Sequence, residues 1–465
     1  MGEYDFVIIG GGAAGFAAAL KADELGVRTL MVNRGPIGGT CVNVGCVPTK
    51  YLLSAFELKR KALFSPYPGM EFSIEKFDFA ELMEGKERLV RKLRKEKYEK
   101  VIEGLENVDY VDGSARFTSR DTVNVDGKRF RFKKALIATG SKARIIPLKG
   151  LEAVRERVLT HVEALNLREV PDSVIVIGGR AQALEFAQVF ARAGSKVTLL
   201  QRSIRIMPDA EPELALELEE ILGEEVEIHT LAAPRALKRG GDGVVLEATV
   251  DGEARTFEGE YIFFATGRVP NTAGLGLENL GVRTDERGFI AVDETMRAGG
   301  NVYAAGDVVG EPMLETVAAR EGFVAASNAL GAGPVEMDYS VVPKVVFTDP
   351  QLASVGLTDR EASKARRCLC NTVEFSSVPK ARILGEERGL IKMVVDNETE
   401  RILGVHILAH NAAEMIHEAA MIVRNNMTLD DVIETLHVFP TMSEAIKLVA
   451  LSFKGDVSKM PCCAL

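Results

Sequence analysis

The residues best placed to do chemistry are two cysteines, Cys41 and Cys46, in the run Gly38-Gly-Thr-Cys-Val-Asn-Val-Gly-Cys-Val-Pro-Thr-Lys50. Pro48 suits the first turn of a helix, where its missing N–H has no partner to lose. Cys46 then sits at the positive end of a helix dipole, which favours a thiolate over a thiol. Two thiols so placed can close a disulfide, take up electrons or bind a soft metal ion. The six cysteines fall in close pairs, the others being Cys368 with Cys370 and Cys462 with Cys463. A chain of 465 residues needs no disulfide framework, so in a reducing compartment paired cysteines suggest redox or metal chemistry. Cys368 and Cys370 lie in a strand-like stretch after a basic loop and read as structural or incidental, since a free cysteine usually behaves as a small hydrophobe.

The elements that must hold Cys41 and Cys46 begin with a βαβ unit. Tyr4–Ile9 has the pattern of a buried strand, Gly10-Gly-Gly12-Ala-Ala14-Gly15 is a GxGxxG turn, Phe16–Leu25 is an Ala-rich helix and Arg28–Val32 a second strand. Such glycines let backbone N–H groups and a helix N-terminus approach a pyrophosphate, so this unit is expected to bind a dinucleotide. Asn33 stands where an acidic residue usually binds ribose; its amide can still hydrogen-bond a hydroxyl. Tyr51–Leu63 continues helically from the cysteines. Phe79–Leu105 reads as one long helix whose basic run Arg91–Lys97 is a solvated face. A hairpin turning on Asp126-Gly127 leads to a short apolar strand, Ala135–Ser141, that contains Ala138-Thr139-Gly140.

The plan then repeats. Val174–Ile177 is a strand, followed by a turn from Gly178, a helix (Ala183–Ala193), a strand (Lys196–Gln201), a hairpin on Asp251-Gly252 and a strand ending in Ala265-Thr266-Gly267. The middle glycine of this second turn is Arg180, which could itself contact phosphate. Gln201, Arg202 and Arg205 stand where a carboxylate would favour NAD. Arginine binds a 2′-phosphate that a carboxylate repels, so NADPH is the expected cofactor. Cys41 and Cys46 lie in residues that only the first copy contains, which favours chemistry on that copy's cofactor. Asn301–Val309 is another apolar strand with an acidic tip, Asp307, and Glu315–Leu330 a helix. From about Asp338 the pattern becomes a meander of strands with two helices, a separate α+β domain.

Bulk properties narrow the field. With 46% hydrophobic and 27% charged residues the chain has the balance of a globular protein. A formal charge of −10 argues against a nucleic-acid partner. No apolar run approaches the ~20 residues a membrane span needs. The first strand begins at Tyr4, leaving no room for a signal peptide, so a cytoplasmic location is expected.

Gly10–Gly15, Gly39–Lys50, Thr266-Gly-Arg-Val-Pro-Asn271 and Ala305-Gly-Asp307 resemble the motifs of the flavoprotein disulfide reductases over nearly the full length. The resemblance implies an α/β homodimer with two Rossmann-like domains and an α+β dimerisation domain. Their expected bounds are 1–148 with 268–335 for FAD, 149–267 for NADPH and 336–465 for the interface. It also implies that Cys46 lies against the flavin ring, that Cys41 is the outer thiol, and that Lys50 stabilises the thiolate near the flavin with Glu185 as its partner. Asp307 would hold the ribityl chain. The helix near Glu315, with Val317 in its first turn, would aim its N-terminus at the flavin. Gly39, Thr40, Thr139, Gly140, Gly267 and Arg268 complete the implied cofactor contacts.

Within that family the chain is similar to the branch that reduces mercuric ion. The second glycine turn has lost its middle glycine, and Val345–Gly356 is similar to that branch. Cys462-Cys463 just before the end matches its vicinal pair. Lipoamide dehydrogenases and glutathione reductases carry His-Pro-Thr followed by a glutamate, the histidine protonating the leaving thiol. Here Phe439 precedes Pro440-Thr441, with Glu444 retained. A phenyl ring cannot carry a proton, which would slow dithiol exchange by ~10²–10⁴. Mercuric reductases usually have tyrosine there, so Phe439 departs from both branches. His437 is off that register and reads as a helix-start or surface residue. The sequence as given carries no N-terminal metal-binding domain with its own Cys-x-x-Cys. The implied reaction is NADPH-dependent reduction of Hg(II) to Hg(0) through FAD and Cys41/Cys46, with Cys462 and Cys463 of the other subunit delivering the metal. Two alternatives stand beside it: a disulfide reductase of the dihydrolipoamide dehydrogenase type, and a flavin-containing protein that binds or senses soft metals.

Overall fold

The computed structural model describes residues 2–365 and 367–460. Two compact units are formed, each from three separated segments.

The first unit comprises Met1–Thr49, Glu81–Ile145 and Thr266–Asp338. Its main sheet is parallel along the path Val302–Ala304, Lys128–Ile137, Gly2–Ile9, Thr29–Asn33 and Val108–Asp112. Phe6, Val7, Ile8 and Ile9 are at most 4% exposed, so this strand is covered on both faces, as a parallel sheet requires. The helix Ala13–Glu24 follows the glycine turn and buries Ala14, Ala18 and Ala22. It meets the helix Glu315–Ala329 at Gly322, where a Cβ would come within 2.0 Å of the Ala14 carbonyl oxygen.

The second unit comprises Lys50–Ala80, Ile146–Ala265 and Tyr339–Leu465. One parallel sheet runs Glu227–His229, Lys196–Leu200, Ser173–Ile177, Tyr261–Phe264 and Val158–Leu159. Four of its strands, Glu227–His229 to Tyr261–Phe264, repeat the order Val108–Asp112 to Lys128–Ile137 of the first unit, in line with the duplicated plan; the fifth, Val158–Leu159, comes from ahead of the plan's first strand, whereas Val302–Ala304 comes from after its last. An antiparallel three-stranded sheet (Ala232–Gly240, Gly243–Val250, Glu253–Gly259) contains the expected hairpin, with Asp251 at φ 48° and Gly252 at φ 85°. Positive φ at both central residues is what this turn needs to match the strand twist. The C-terminal meander is an antiparallel sheet ordered Lys344–Val346, Gln351–Gly356, Ile402–Ala409, Leu390–Asp396, Cys368–Glu374. Phe375, Ile391, Met393, Ile407, Ile416 and Val449 are central to the core beneath it. Among the described residues no helix is long and apolar enough to cross a membrane.

Several expected elements are reshaped. The cysteine segment is two helices, Gly39–Val44 and Cys46–Leu63. The long charged helix runs only Phe79–Arg94 before a π turn at Lys95–Glu99 and a last turn at Lys100–Glu103. The expected strand Asn301–Val309 shrinks to Val302–Ala304, because the chain swings through Gly306 at φ 80° before Asp307. Ala138-Thr139-Gly140 follows the end of the Lys128–Ile137 strand instead of lying within it.

Candidate active site

In the first unit, Gly38 (φ 96°) and Gly39 (φ 66°) turn the chain into the short helix that carries Thr40 and Cys41. Asn43 ties this turn down: its Nδ2 donates to the carbonyls of Ile37 and Gly39, each at 2.9 Å, and its Oδ1 accepts from Arg94 at 3.1 Å. Gly45 breaks the helix, and Cys46 opens the next one as its first residue, as Pro48 led us to expect. Cys46 is exposed and Cys41 partly buried.

Tyr98 is a neighbour that sequence reasoning missed. It lies on the π turn, edge-on to Phe16 with ring centroids 4.9 Å apart. Burial raises its phenol pKa, and the nearby charges of Cys41, Glu315 and Cys46 raise it further. Its sole mark in the sequence is an aromatic ring amid lysines and glutamates, and π turns recur at functional positions.

The first glycine turn fits a pyrophosphate. Gly12 caps the Ala13–Glu24 helix without a side-chain hydrogen bond, and no acidic residue occupies the first turn. A Cβ on Gly12 would meet only Gly39 Cα, at 3.6 Å, so the space over these N–H groups stays open. Ala14 and Gly15 are buried in the helix behind them. Gly10 has φ 122°, and a Cβ there would lie 2.1 Å from the Ala138 carbonyl oxygen. Gly10→Ala should therefore cost more than ~1 kcal/mol and release the flavin on mild heating. Thermal unfolding followed by flavin fluorescence checks this; an unchanged midpoint would contradict it.

The amide of Asn33 holds this loop. Its Oδ1 accepts from Gly11 N at 2.9 Å and its Nδ2 donates to Gly35 O at 2.8 Å. Thr139, Gly140 and Asn271 are laced together, with Thr139 Oγ1 donating to Asn271 O at 2.8 Å and Asn271 N to Gly140 O at 2.9 Å. Asp307 is fixed by Ser141, whose Oγ donates to its Oδ2 at 2.6 Å, and by Arg268, whose Nε lies 3.4 Å away. Val317 is buried in the first turn of the Glu315–Ala329 helix.

In the second unit, Lys50 lies one turn along the helix that Cys46 opens. Its Nζ donates to Glu185 Oε2 at 2.8 Å and stands 4.5 Å from the centre of the Phe347 ring. Glu185 is 5% exposed, and its other oxygen accepts from Phe347 N at 2.9 Å. The second glycine turn has Gly178 at φ 132° and Arg180 as helix cap. Arg180 is exposed and ion-paired with Asp209. Gln201 is buried against Gly179, its Oε1 accepting from Arg202 N at 3.0 Å and its Nε2 donating to Arg205 O at 3.3 Å. Its side chain packs against Gly179 as that of Asn33 packs against Gly11. Arg202 itself is exposed. Gly267, which belongs to the first unit, turns the chain at φ 100°.

At the C-terminal end Phe439 is 49% exposed. Glu444 opens the helix Glu444–Leu451, and its buried Oε2 has no hydrogen-bond partner among the described residues. Burial raises its pKa, against the opposing pull of His437 and Lys447. His437 is neither a helix start nor a surface residue. Its ring is 8% exposed, with Nε2 2.7 Å from Glu418 Oε1. That carboxylate raises the pKa of the imidazole. Cys462 and Cys463 lie outside the described residues.

Paired parallel sheets with dinucleotide turns, a dithiol at a helix start and an antiparallel C-terminal domain define a two-nucleotide redox protein. Residues 4–322 match the family model "Pyridine nucleotide-disulphide oxidoreductase", and residues 342–450 match that family's dimerisation domain. The chain belongs to this family, whose members use FAD and a pyridine nucleotide, and its dimerisation domain supports a homodimer. It is 40% identical over 470 residues to a mercuric reductase of Streptomyces lividans, covering 99% of this chain and 98% of that one. The mercuric reductase of Staphylococcus aureus is 38% identical over 466 residues, 100% of this chain and 85% of that protein. A dihydrolipoyl dehydrogenase of Bacillus subtilis (strain 168) is 34% identical over 471 residues, covering 97% and 98% of the two chains. The solved HOCl-induced flavoprotein disulfide reductase RclA from Escherichia coli superposes with a TM-score of 0.86 at 28% identity, over 96% of this chain and 99% of that one.

Proposed function

We propose that the protein reduces Hg(II) to Hg(0) with NADPH, using Cys41 and Cys46 as the thiolates that hold the metal. The observation that carries this reading is the absence of a proton carrier where dithiol reductases need one. Phe439 occupies that place, and His437, two residues before it, is engaged by Glu418. Mercuric ion needs no such proton, since it leaves one thiolate as another attacks and prefers two sulfurs in a line. The first-turn position of Cys46 favours its thiolate, and Lys50 adds a positive charge one turn on. Glu185 fixes Lys50 through a hydrogen-bonded ion pair, leaving the ammonium oriented by its protein partner. Bound FAD and NADPH would supply the electron pair. Neutral mercury binds thiolates poorly and leaves. Anaerobic NADPH oxidation with Hg(II), lipoamide or glutathione disulfide as sole acceptor tests the assignment: Hg(II) should be preferred, and metal binding without NADPH consumption would select a storage or sensing role.

Two finer assignments belong to this reading. Cys462 and Cys463 of the partner subunit pass Hg(II) from cellular thiols to Cys41 and Cys46. Changing both tail cysteines to alanine should slow turnover of thiol-bound Hg(II) while NADPH still reduces the flavin; unchanged turnover under excess thiol would remove the tail from the mechanism. Arg202, exposed at the end of the Lys196–Leu200 strand, selects the 2′-phosphate. Arg202→Glu should raise the KM for NADPH by about 10–100-fold and leave NADH less affected, because charge-assisted contacts of this kind contribute ~1.5–3 kcal/mol. Equal KM changes for the two nucleotides would contradict it.

A further inference from the structure

Cys368 and Cys370 lie two residues apart on the strand Cys368–Glu374, at the edge of the C-terminal sheet. Side chains alternate across a strand, so both thiols share one face while Leu369, 50% exposed, takes the other. Asp359, at the start of the helix Asp359–Ala365, reaches the same face, with Cys368 Sγ 3.5 Å from its Oδ1. The two sulfurs and a carboxylate oxygen of Asp359 all lie within 4.8 Å of one another. Two metal–sulfur bonds of about 2.3 Å each span ~4.6 Å when collinear and less when bent, so one ion fits between the sulfurs without backbone movement. The surroundings also suit such an ion. Lys392 Nζ lies 3.8 Å from Asp359 Oδ2 and is hydrogen-bonded to Glu211 at 2.8 Å and to Glu213 at 3.0 Å. Two sulfur donors favour a soft ion over a hard one. Two thiolates around a monovalent soft ion carry a net negative charge that the ammonium offsets, and around a divalent one they are already neutral.

We propose that Cys368, Cys370 and Asp359 form a second binding site for a soft, thiophilic d¹⁰ cation, Hg(II) or Cu(I), separate from Cys41 and Cys46. Binding involves no electron transfer. Two S–H bonds break, two metal–sulfur bonds form, and two protons leave to solvent, the first by way of Asp359 Oδ1. The site's function would be to hold metal without reducing it.

The test uses the full-length flavin-loaded protein without NADPH, so that it does not depend on turnover. Hg(II) as its glutathione complex, or Cu(I) from a chelating buffer, is added stepwise, and alkylation of each cysteine is read by mass spectrometry. Cys368 and Cys370 should become protected together, and the metal retained per chain should fall by one in Cys368→Ser/Cys370→Ser. Protection by one ion and not the other identifies which the site prefers. Asp359→Asn, which keeps both sulfurs, should weaken binding by roughly 10–100-fold. It also covers the case in which the double variant fails to fold. Equal alkylation with and without both metals, or an unchanged stoichiometry in a folded double variant, would overturn the proposal.

Discussion

Cys46→Ala should lower Hg(II) turnover on the order of 10³-fold, while NADPH still bleaches the bound flavin at close to its normal rate. The argument rests on position. Cys46 is the first residue of an 18-residue helix, and it is the more exposed of the two thiols, so it is the one that the helix dipole serves best. A single remaining thiol cannot hold a two-coordinate ion against cellular thiols, so the variant loses the bound substrate as well as the electron path. Groups that act as a unit lose most of their effect when one is removed, so Cys41→Ala should cost a comparable factor and the double variant little more. Stopped-flow absorbance of the flavin, set beside steady-state mercury reduction, separates the two half-reactions. Loss of both half-reactions together would mean that the cysteine is needed for the fold, and retention of both would remove it from the chemistry.

Lys50→Met should have the second-largest effect, and it should act on stability and rate together. Glu185 is buried and keeps two partners, the Lys50 ammonium and Phe347 N–H. Removing the ammonium leaves a buried carboxylate with one hydrogen bond, a change that costs on the order of 1–3 kcal/mol, since the Lys50 end of the pair is partly open to solvent. Mercury reduction should fall by roughly 10–100-fold, the size expected when a group orienting charge at a reacting centre is lost. Glu185→Gln separates the two effects. The amide keeps the Phe347 hydrogen bond and leaves Lys50 on its helix without an ionic partner, so stability should suffer less than in Lys50→Met while the rate still falls. A melting point and a rate both unchanged in Lys50→Met would contradict the assignment.

The parts of this molecule that sequence made legible are those written in local residue patterns. Apolar runs placed the central strands of both parallel sheets, though not Val108–Asp112, Val158–Leu159 or Glu227–His229, and Asp126-Gly127 and Asp251-Gly252 placed the hairpins. Pro48 placed Cys46 at a helix start. The features that escaped depend on geometry with no local signature. A π turn differs from an α turn by one residue of hydrogen-bond register, so nothing local marks Tyr98, which directly follows the basic run Arg91–Lys97. Nothing local marks His437 as held, because its partner, Glu418, belongs to the helix Ala412–Arg424, beyond the intervening helix Leu429–Glu434. Asp359 could not be joined to Cys368 and Cys370 until the edge strand's facing was known. The side chains of Asn33 and Gln201 pack against Gly11 and Gly179 of the two glycine turns, and the Asn33 amide also accepts from Gly11 N, contacts that no local pattern announces. The side chains that shape these turns thus sit at the ends of the second strands, where the search for specificity would otherwise have stopped.

The central claim is that electrons from NADPH end on mercury at Cys41 and Cys46. Its most direct test is anaerobic: excess NADPH, Hg(II) presented as its glutathione complex, and volatile Hg(0) trapped and counted against NADPH consumed. The account predicts one Hg(0) released for each NADPH oxidised, with lipoamide and glutathione disulfide supporting rates lower by ~10²-fold or more, the factor set by a missing proton carrier at Phe439. NADPH oxidised without release of Hg(0), or faster with either disulfide than with Hg(II), would contradict it.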